Sequence, residues 1–304
     1  MIVIVAPGQG SQTPGFLEPW VADPAHRARL EQYSAAVGID LVEHGTVSDA
    51  DTIRDTSIAQ PLIVAASLLS AAALLEGRRD RVGAVAGHSV GEFAAAAIAG
   101  VVSDDDALRL VRTRGLAMAE AAAQVPTGMS AVIGGDADAL SVRLAELGLE
   151  AANLNGAGQT VVAGELNNLA ALAAEPVAGS RVIPLQVAGA FHTSYMSRAV
   201  EQLRTAAEGV TALDPSIRLY TNRDGTAVSS GSAFVELLIG QVSSPVRWDA
   251  CMESFAVDGV TGIIELLPGG ALVGLAKRAL KGVPAVAVKT PDDLASAIEM
   301  LENA

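Results

Sequence analysis

The chain has little cysteine, lysine or aromatic residue, and each shortage excludes something. A single cysteine, Cys251, leaves no internal disulfide and points to a reducing compartment. With nothing nearby to make a thiolate, Cys251 reads as a small buried hydrophobe. Aromatic residues make up 3% of a chain that is 50% hydrophobic, so the core is built mainly of Ala, Val and Leu. The lysines are Lys277, Lys281 and Lys289, there is no polybasic run, and the net charge is −14. That balance excludes nucleic acid and anionic membrane as partners. Long apolar runs are also missing. The opening Met-Ile-Val-Ile-Val-Ala-Pro has no basic flank and is too short for a signal peptide. The longest uncharged apolar stretch, residues 58–75, contains Gln60, Pro61 and two serines and reads as a buried helix rather than a membrane span. The expectation is a soluble, cytoplasmic protein with ample core in its 304 residues.

What is present is an α/β texture. A strand at residues 2–5 runs into Pro7-Gly8-Gln9-Gly10-Ser11-Gln12, followed by helical segments, a strand near 82–86, and helices near 90–100 and 104–123. Strands alternating with helices imply a mostly parallel sheet covered on both faces. The texture changes at Pro126-Thr127-Gly128. Strands are expected at 129–133, 149–154, 160–163 and 181–187, with helices carrying Leu140, Leu144 and Leu147 on one face and near 165–174. That βαββαβ order describes a small ferredoxin-like subdomain at 125–189, inserted into a larger α/β domain formed by 1–124 and 190–304. Further strands are expected near 217–221, 261–267 and 285–288.

Residues 82–92, Val-Gly-Ala-Val-Ala-Gly-His-Ser-Val-Gly-Glu, end an apolar run in G-x-S-x-G and open an alanine-rich helix. In that context Ser89 sits on a tight bend with its hydroxyl above the sheet edge. Gly87 and Gly91 suit the bend because a Cβ at either would crowd the crossing backbone. The helix expected from Val90 aims unpaired N–H groups at charge developing beside Ser89. Ser89-x-x-Glu92 is equally a capping box, with Ser89 an ordinary N-cap. Both readings stand on the residues alone.

A nucleophilic serine needs a base. His88 adjoins Ser89 on extended chain, where neighbours point to opposite faces. His26 and His44 lie in polar, charged surroundings and read as surface residues. His192 follows the strand near 181–187 and Ala188-Gly189-Ala190-Phe191, at what should be a strand's carboxyl end, where α/β folds place their sites. It is the best of the four. Val90 N–H, directly after the serine, is one oxyanion donor. Gly8-Gln9-Gly10 is placed to supply another, although a β-turn accounts for it equally well. It is neither a P-loop nor a dinucleotide fingerprint.

Five blocks in order carry a resemblance: residues 7–12, Gly87-His88-Ser89-Val90-Gly91-Glu92, Arg112-Thr113-Arg114-Gly115, Ala190-Phe191-His192, and residues 241–248 (Gln-Val-Ser-Ser-Pro-Val-Arg-Trp). Together with Pro268-Gly269-Gly270 the chain closely resembles the malonyl-CoA:acyl carrier protein transacylases over essentially its whole length, most of all the actinobacterial ones. The resemblance implies a hydrolase-like larger domain with Ser89 as nucleophile and His192 as base and acid. It implies an oxyanion hole from the N–H groups of Gln9 and Val90, and a Gln241 main-chain carbonyl that orients His192 without a carboxylate. It also implies that Arg114 holds the malonyl carboxylate, that Met118 and Phe191 line the acyl pocket, and that malonyl-CoA is a substrate in a reaction needing no cofactor or metal. The family often has asparagine where this chain has Ser244. Arginine suits a buried carboxylate because its planar fork binds it bidentately and stays charged when desolvated. Without the resemblance Arg114 would read as a helix-surface residue.

The resemblance also implies an acyl carrier protein as partner. Such carriers are acidic, as is this chain, so docking requires a local positive patch. Lys277, Arg278 and Lys281 are the sequence candidate, against the simpler reading of a solvated helix face. Two rivals share the scaffold: a serine thioesterase or esterase, which has no use for Arg114, and a non-catalytic carrier-docking module, which has no use for both Ser89 and His192. A free-standing chain of this length favours fatty acid synthesis.

Overall fold

Strands buried on both faces are written as unbroken apolar runs rather than as alternation, and the centre of this molecule is built of such runs. The computed structural model describes residues 1–303. In chain order its strands are β1 (Ile2–Ala6), β2 (Ala84–Gly87), β3 (Thr127–Gly134), β4 (Glu150–Gly156), β5 (Gln159–Glu165), β6 (Ser180–Pro184), β7 (Arg218–Tyr220), β8 (Ala227–Val228), β9 (Val246–Arg247), β10 (Gly262–Glu265) and β11 (Ala285–Ala287). Every residue of β1, β2 and β10 is buried. They lie inside a sheet ordered β11-β10-β1-β2-β7-β8, parallel throughout except for the β7–β8 hairpin. Register places Ala6 opposite Gly87 and Val5 opposite Glu265. The carboxyl ends of β1, β2 and β10 therefore finish level, and the loops that follow converge on one edge.

The Thr56–Leu75 helix begins where the Asp55 carboxylate accepts the Ser57 N–H. It is long and apolar enough to cross a membrane, but 83% of its most apolar window is buried inside the protein, so its apolar surface is spent on the core. The Asp104–Ala122 helix is capped by Ser103, which accepts the Asp106 N–H, and carries three acids in its first turn, where the helix dipole favours them. The two helices meet at Gly115, where a Cβ would lie 2.9 Å from the Thr56 carbonyl oxygen. Only a glycine allows that approach, one residue after Arg114.

A second sheet is ordered β6-β3-β5-β4-β9. Its first four strands pair antiparallel, and the Ala137–Leu147 and Leu166–Ala174 helices bury Leu140, Leu144, Leu169 and Leu172 against it. Two features differ from the sequence expectation. The strand expected at 181–187 ends at Pro184, and Leu185 to Gly189 is irregular chain from which Leu185 and Val187 line a cavity. The fifth strand, β9, comes from the 241–248 block far along the chain and pairs parallel with β4, Asn153 opposite Val246.

Candidate active site

The serine stands on a bend made by close packing. Ser89 has φ +52°, in the left-handed region that β-carbon sterics disfavour. A Cβ on Gly87 would lie 2.1 Å from the Gly91 carbonyl carbon, and one on Gly91 would lie 2.2 Å from Ala6 O. Both positions thus require glycine if β2 is to turn straight into the Gly91–Ile98 helix. Asn222, just past β7, straps the bend: its Oδ1 accepts the Ser89 N–H at 2.7 Å and its Nδ2 donates to Gly87 O at 2.7 Å. The capping-box reading does not hold. Val90 occupies the N-cap with no side-chain cap bond, and the Ser89 hydroxyl faces away from the helix. Glu92 turns inward instead, accepting from Asn222 N–H at 2.7 Å and from the Gln241 side-chain Nε2.

His192 Nε2 lies 2.6 Å from Ser89 Oγ, and His192 Nδ1 lies 2.9 Å from the Gln241 carbonyl oxygen. A carbonyl only accepts, so Nδ1 carries the proton and Nε2 presents its lone pair to the serine hydroxyl. His192 also has positive φ, +61°. The turn holding it is fastened by Thr127 Oγ1, which accepts the Ala190 N–H at 3.0 Å, and by Thr193 Oγ1, which donates to Ala190 O at 2.6 Å. Burial, then the neighbouring Arg114 charge, pushes the imidazole down to about 3. It is a neutral acceptor at neutral pH. His88 is buried too, but it contacts Asn155 Oδ1 at 2.9 Å and the edge of Trp248 rather than the serine. His26 and His44 are half-buried, against Trp20 and Ser48 respectively, and neither lines this cavity.

Arg114 is 1% exposed, not a surface residue. Its Nη2 donates to Gln241 Oε1 at 2.9 Å and lies 3.3 Å from Ser89 Oγ, and the guanidinium sits 5.8 Å from the Phe93 ring centre. Burial lowers it to about 9, with Glu92 opposing, so it remains a cation at neutral pH. Gln241 Nε2 also donates to Ser89 O at 2.9 Å. One glutamine thus touches the serine, the histidine and the arginine, by side chain and main chain.

These groups open on a cavity of about 80 Å³ bordered by Gln9, Val90, Met118 and Phe191 among others. Among the described residues, neither the Gln9 N–H nor the Val90 N–H donates to a backbone acceptor. Met118 accepts from Gln60 Nε2 through its sulfur at 3.4 Å. Arg114 Nε, Gln60 Oε1 and Asn153 Oδ1 are buried polar atoms without protein partners, and all three residues line this cavity. Buried polar groups without partners are uncommon, and here they surround a space that a small polar ligand fits. Asn222, Gln60 and Asn153 carry no motif in the sequence. Only the end-of-strand position of Asn222 hinted at a site residue.

The structure does not bring the lysine patch to this site. Glu265, at the carboxyl end of β10, accepts the Gly270, Leu272 and Val273 N–H groups and so anchors the start of the Ala271–Ala279 helix at the site edge of the sheet. The helix then runs back, carrying exposed Lys277 and Arg278 to its far end and Lys281 to the turn before β11. β11 begins opposite Ile263 and returns to the carboxyl edge, so Lys289 is parted from the other two. The crossover separates residues that are neighbours in sequence.

An α/β protein with a serine on a strand–helix bend, a neutral histidine bonded to it and a buried arginine beside both has the build of a serine-type acyltransferase. Comparison with known proteins narrows this. Residues 3–292 match the acyl transferase domain family. The malonyl CoA-acyl carrier protein transacylase of Mycobacterium tuberculosis is 49% identical over 298 residues, covering 97% of this chain and 98% of that protein. The Escherichia coli K12 protein of the same name is 33% identical over 97% of this chain and 98% of its own length. The crystal structure of MCAT from M. tuberculosis superposes with TM-score 0.95 at 48% identity, covering 98% and 99% of the two chains. A malonyl-transacylase solved in complex with a type II polyketide acyl-carrier protein superposes at TM-score 0.91 and 30% identity, covering 98% and 99%. The chain belongs to the malonyl CoA-acyl carrier protein transacylase family and is an acyltransferase.

Proposed function

We propose that this chain moves malonyl from malonyl-CoA to the phosphopantetheine thiol of acyl carrier protein through a malonyl ester on Ser89. The observation that carries the reading is a permanent cation, Arg114, buried 3.3 Å from the nucleophile. An acyl group ending in a carboxylate pairs with it in a fork, whereas a neutral acyl group leaves it buried and unmatched. The names and coverage of the relatives support the same substrate.

His192 Nε2 takes the Ser89 proton as Oγ forms a bond to the thioester carbonyl carbon. The N–H groups of Gln9 and Val90 receive the oxyanion, each worth about 3–4 kcal/mol in such sites. The C–S bond breaks, and the departing CoA sulfur takes the proton from His192. The carrier thiol repeats the sequence in reverse, returning the proton to Ser89. Gln241 O keeps the imidazole in its Nδ1–H tautomer throughout. Met118 and Phe191 shape the acyl end of the cavity. No step calls for a metal or redox group, and the setting this implies is cytoplasmic fatty acid biosynthesis.

The larger part, 1–124 and 190–304, reads as a hydrolase-like scaffold, and 125–189 as a ferredoxin-like subdomain. The β6-β3-β5-β4 order of its antiparallel strands supports that description. Brief incubation with labelled malonyl-CoA should place one label on Ser89, chased off by acyl carrier protein. Equal labelling of a Ser89→Ala protein, or release to water alone, would refute the transferase reading; the latter would favour a thioesterase.

A further inference from the structure

Glu92 is a carboxylate 1% exposed that takes no part in the steps above. Its partners make its position informative. Oε1 accepts the Asn222 N–H at 2.7 Å, and Oε2 accepts from Gln241 Nε2. An amide has one donor end and one acceptor end. A carboxylate on Nε2 therefore forces Gln241 Oε1 to the opposite side, where it meets Arg114 Nη2 at 2.9 Å. The same Nε2 holds Ser89 O at 2.9 Å. Reversing that amide would point a donor at the guanidinium.

The groups facing Glu92 are few. Arg114 acts on it from the Asp104–Ala122 helix, and the Thr221 hydroxyl faces it from the chain after β7. The Cys251 thiol faces it from the Trp248–Val257 helix, with burial and Glu92 itself holding that thiol protonated. Arg223 and Glu236 border the small cavity beside Glu92 but are exposed to solvent. Arg114 is thus the buried cation that Glu92 answers.

We propose that Glu92 is a positioning residue and the standing counter-charge of Arg114, and that seating a substrate carboxylate on Arg114 draws a proton onto Glu92. The proposal rests on the malonyl reading. Two anions in one dry space cannot share a single cation without one being disfavoured. The substrate carboxylate contacts the guanidinium directly, whereas Glu92 reaches it only through an amide, so Glu92 is the group that neutralises. Burial already lifts Glu92 to about 7, with Arg114 and its hydrogen bonds opposing, so little further persuasion is needed. Linkage is reciprocal: loading raises proton affinity at Glu92, and a proton on Glu92 favours loading.

The test counts protons and acyl groups together. Wild-type enzyme is mixed with malonyl-CoA at pH 7 in dilute buffer with a pH indicator, and malonyl-Ser89 is quantified by mass. Transfer itself is proton-neutral there, because the serine proton ends on a CoA thiol, and an alkyl thiol stays protonated at pH 7. Up to about half a proton should be taken up per malonyl-Ser89 formed. Acetyl-CoA, which brings no carboxylate, should give acyl-Ser89 with no uptake. Glu92→Gln keeps the shape but cannot titrate; it should load without uptake and need about tenfold more malonyl-CoA. Glu92→Asp should restore uptake in part.

Malonyl-Ser89 formation in the wild type without a proton change overturns the proposal and leaves the function standing. Equal uptake with acetyl-CoA, or in Glu92→Gln, overturns it as well. The acetyl-CoA comparison decides even if Glu92→Gln fails to fold. A wild type that forms no malonyl-Ser89 overturns the functional reading and this proposal together.

Discussion

Arg114 illustrates how burial changes what one side chain can do. On a solvated helix face a guanidinium interacts weakly with anything; beside Ser89, dry and held by Gln241 Oε1, it would select for charge in the proposed reaction. Arg114→Ala should lower kcat/KM for malonyl-CoA by about 100-fold or more, the scale of removing one partner from a buried charge contact, while acetyl-CoA loses far less. Equal losses on both substrates would remove Arg114 from substrate selection. His192 yields a pH prediction with a definite sign. Its folded value, about 3, lies below the ordinary 6.5, so between those values the unfolded chain binds a proton that the folded one refuses. This histidine's contribution to stability is therefore full above 6.5 and declines as pH falls toward 3. A His192→Gln protein should lose less unfolding free energy than wild type between pH 6.5 and 4, measured with denaturant. A larger loss would contradict the buried neutral imidazole.

At this scale the sequence was legible where a motif names a residue. Ser89 and His192 followed from bend and elimination, Arg114 and Gln241 from the ordered blocks. Asn222 was not legible, because one asparagine after a strand looks like any turn residue. The capping box misled for a related reason: Ser-x-x-Glu is the same string whether the serine caps a helix or projects from a left-handed bend, and only the backbone at Ser89, φ +52°, distinguishes them.

Among elements, the bend between β2 and the Gly91–Ile98 helix depends on backbone approaching backbone. Gly91→Ala would place a methyl 2.2 Å from Ala6 O, with no flexible side chain to yield. The variant should lose about 1–3 kcal/mol of stability, and Ser89 should stop reacting with a fluorophosphonate as the bend opens. Normal labelling would show that the turn tolerates a Cβ. The helices expected up to residue 174 and most of the strands fall within a few residues of the observed ones, whereas beyond residue 190 the sequence reading placed strands but no individual helix. β9 was not legible, since Val246–Arg247 is too short to show any period and its pairing with β4 depends on distant chain. The strand expected to continue past Pro184 stops there; Leu185 N–H still reaches Met129 O, and the irregular chain that follows puts Leu185 and Val187 on the cavity.

For the molecule as a whole, the arrangement of charge matters more than its sum of −14. The sequence grouped Lys277, Arg278 and Lys281 into a docking patch, yet the crossover places them at the end of the sheet away from Ser89. On the proposed reading, a carrier whose flexible arm must reach Ser89 would dock near the carboxyl edge. Lys277→Glu with Lys281→Glu should therefore leave KM for acyl carrier protein within about twofold, as expected for charges far from the contact in ordinary salt. A large rise in that KM alone would return the patch to consideration.

The stretch from Gln241 to Trp248 serves both halves of the molecule at once. At one end its carbonyl steadies the imidazole; a few residues on, it is hydrogen-bonded into the smaller sheet alongside Asn153. The two sheets are joined here as well as through His88 Nε2 to Asn155 Oδ1 and Ala190 N–H to Thr127 Oγ1. Any shift of the smaller sheet would therefore be felt at the carbonyl that holds His192 Nδ1–H, so on the proposed reading the alignment of the imidazole and the seating of β9 stand or fall together.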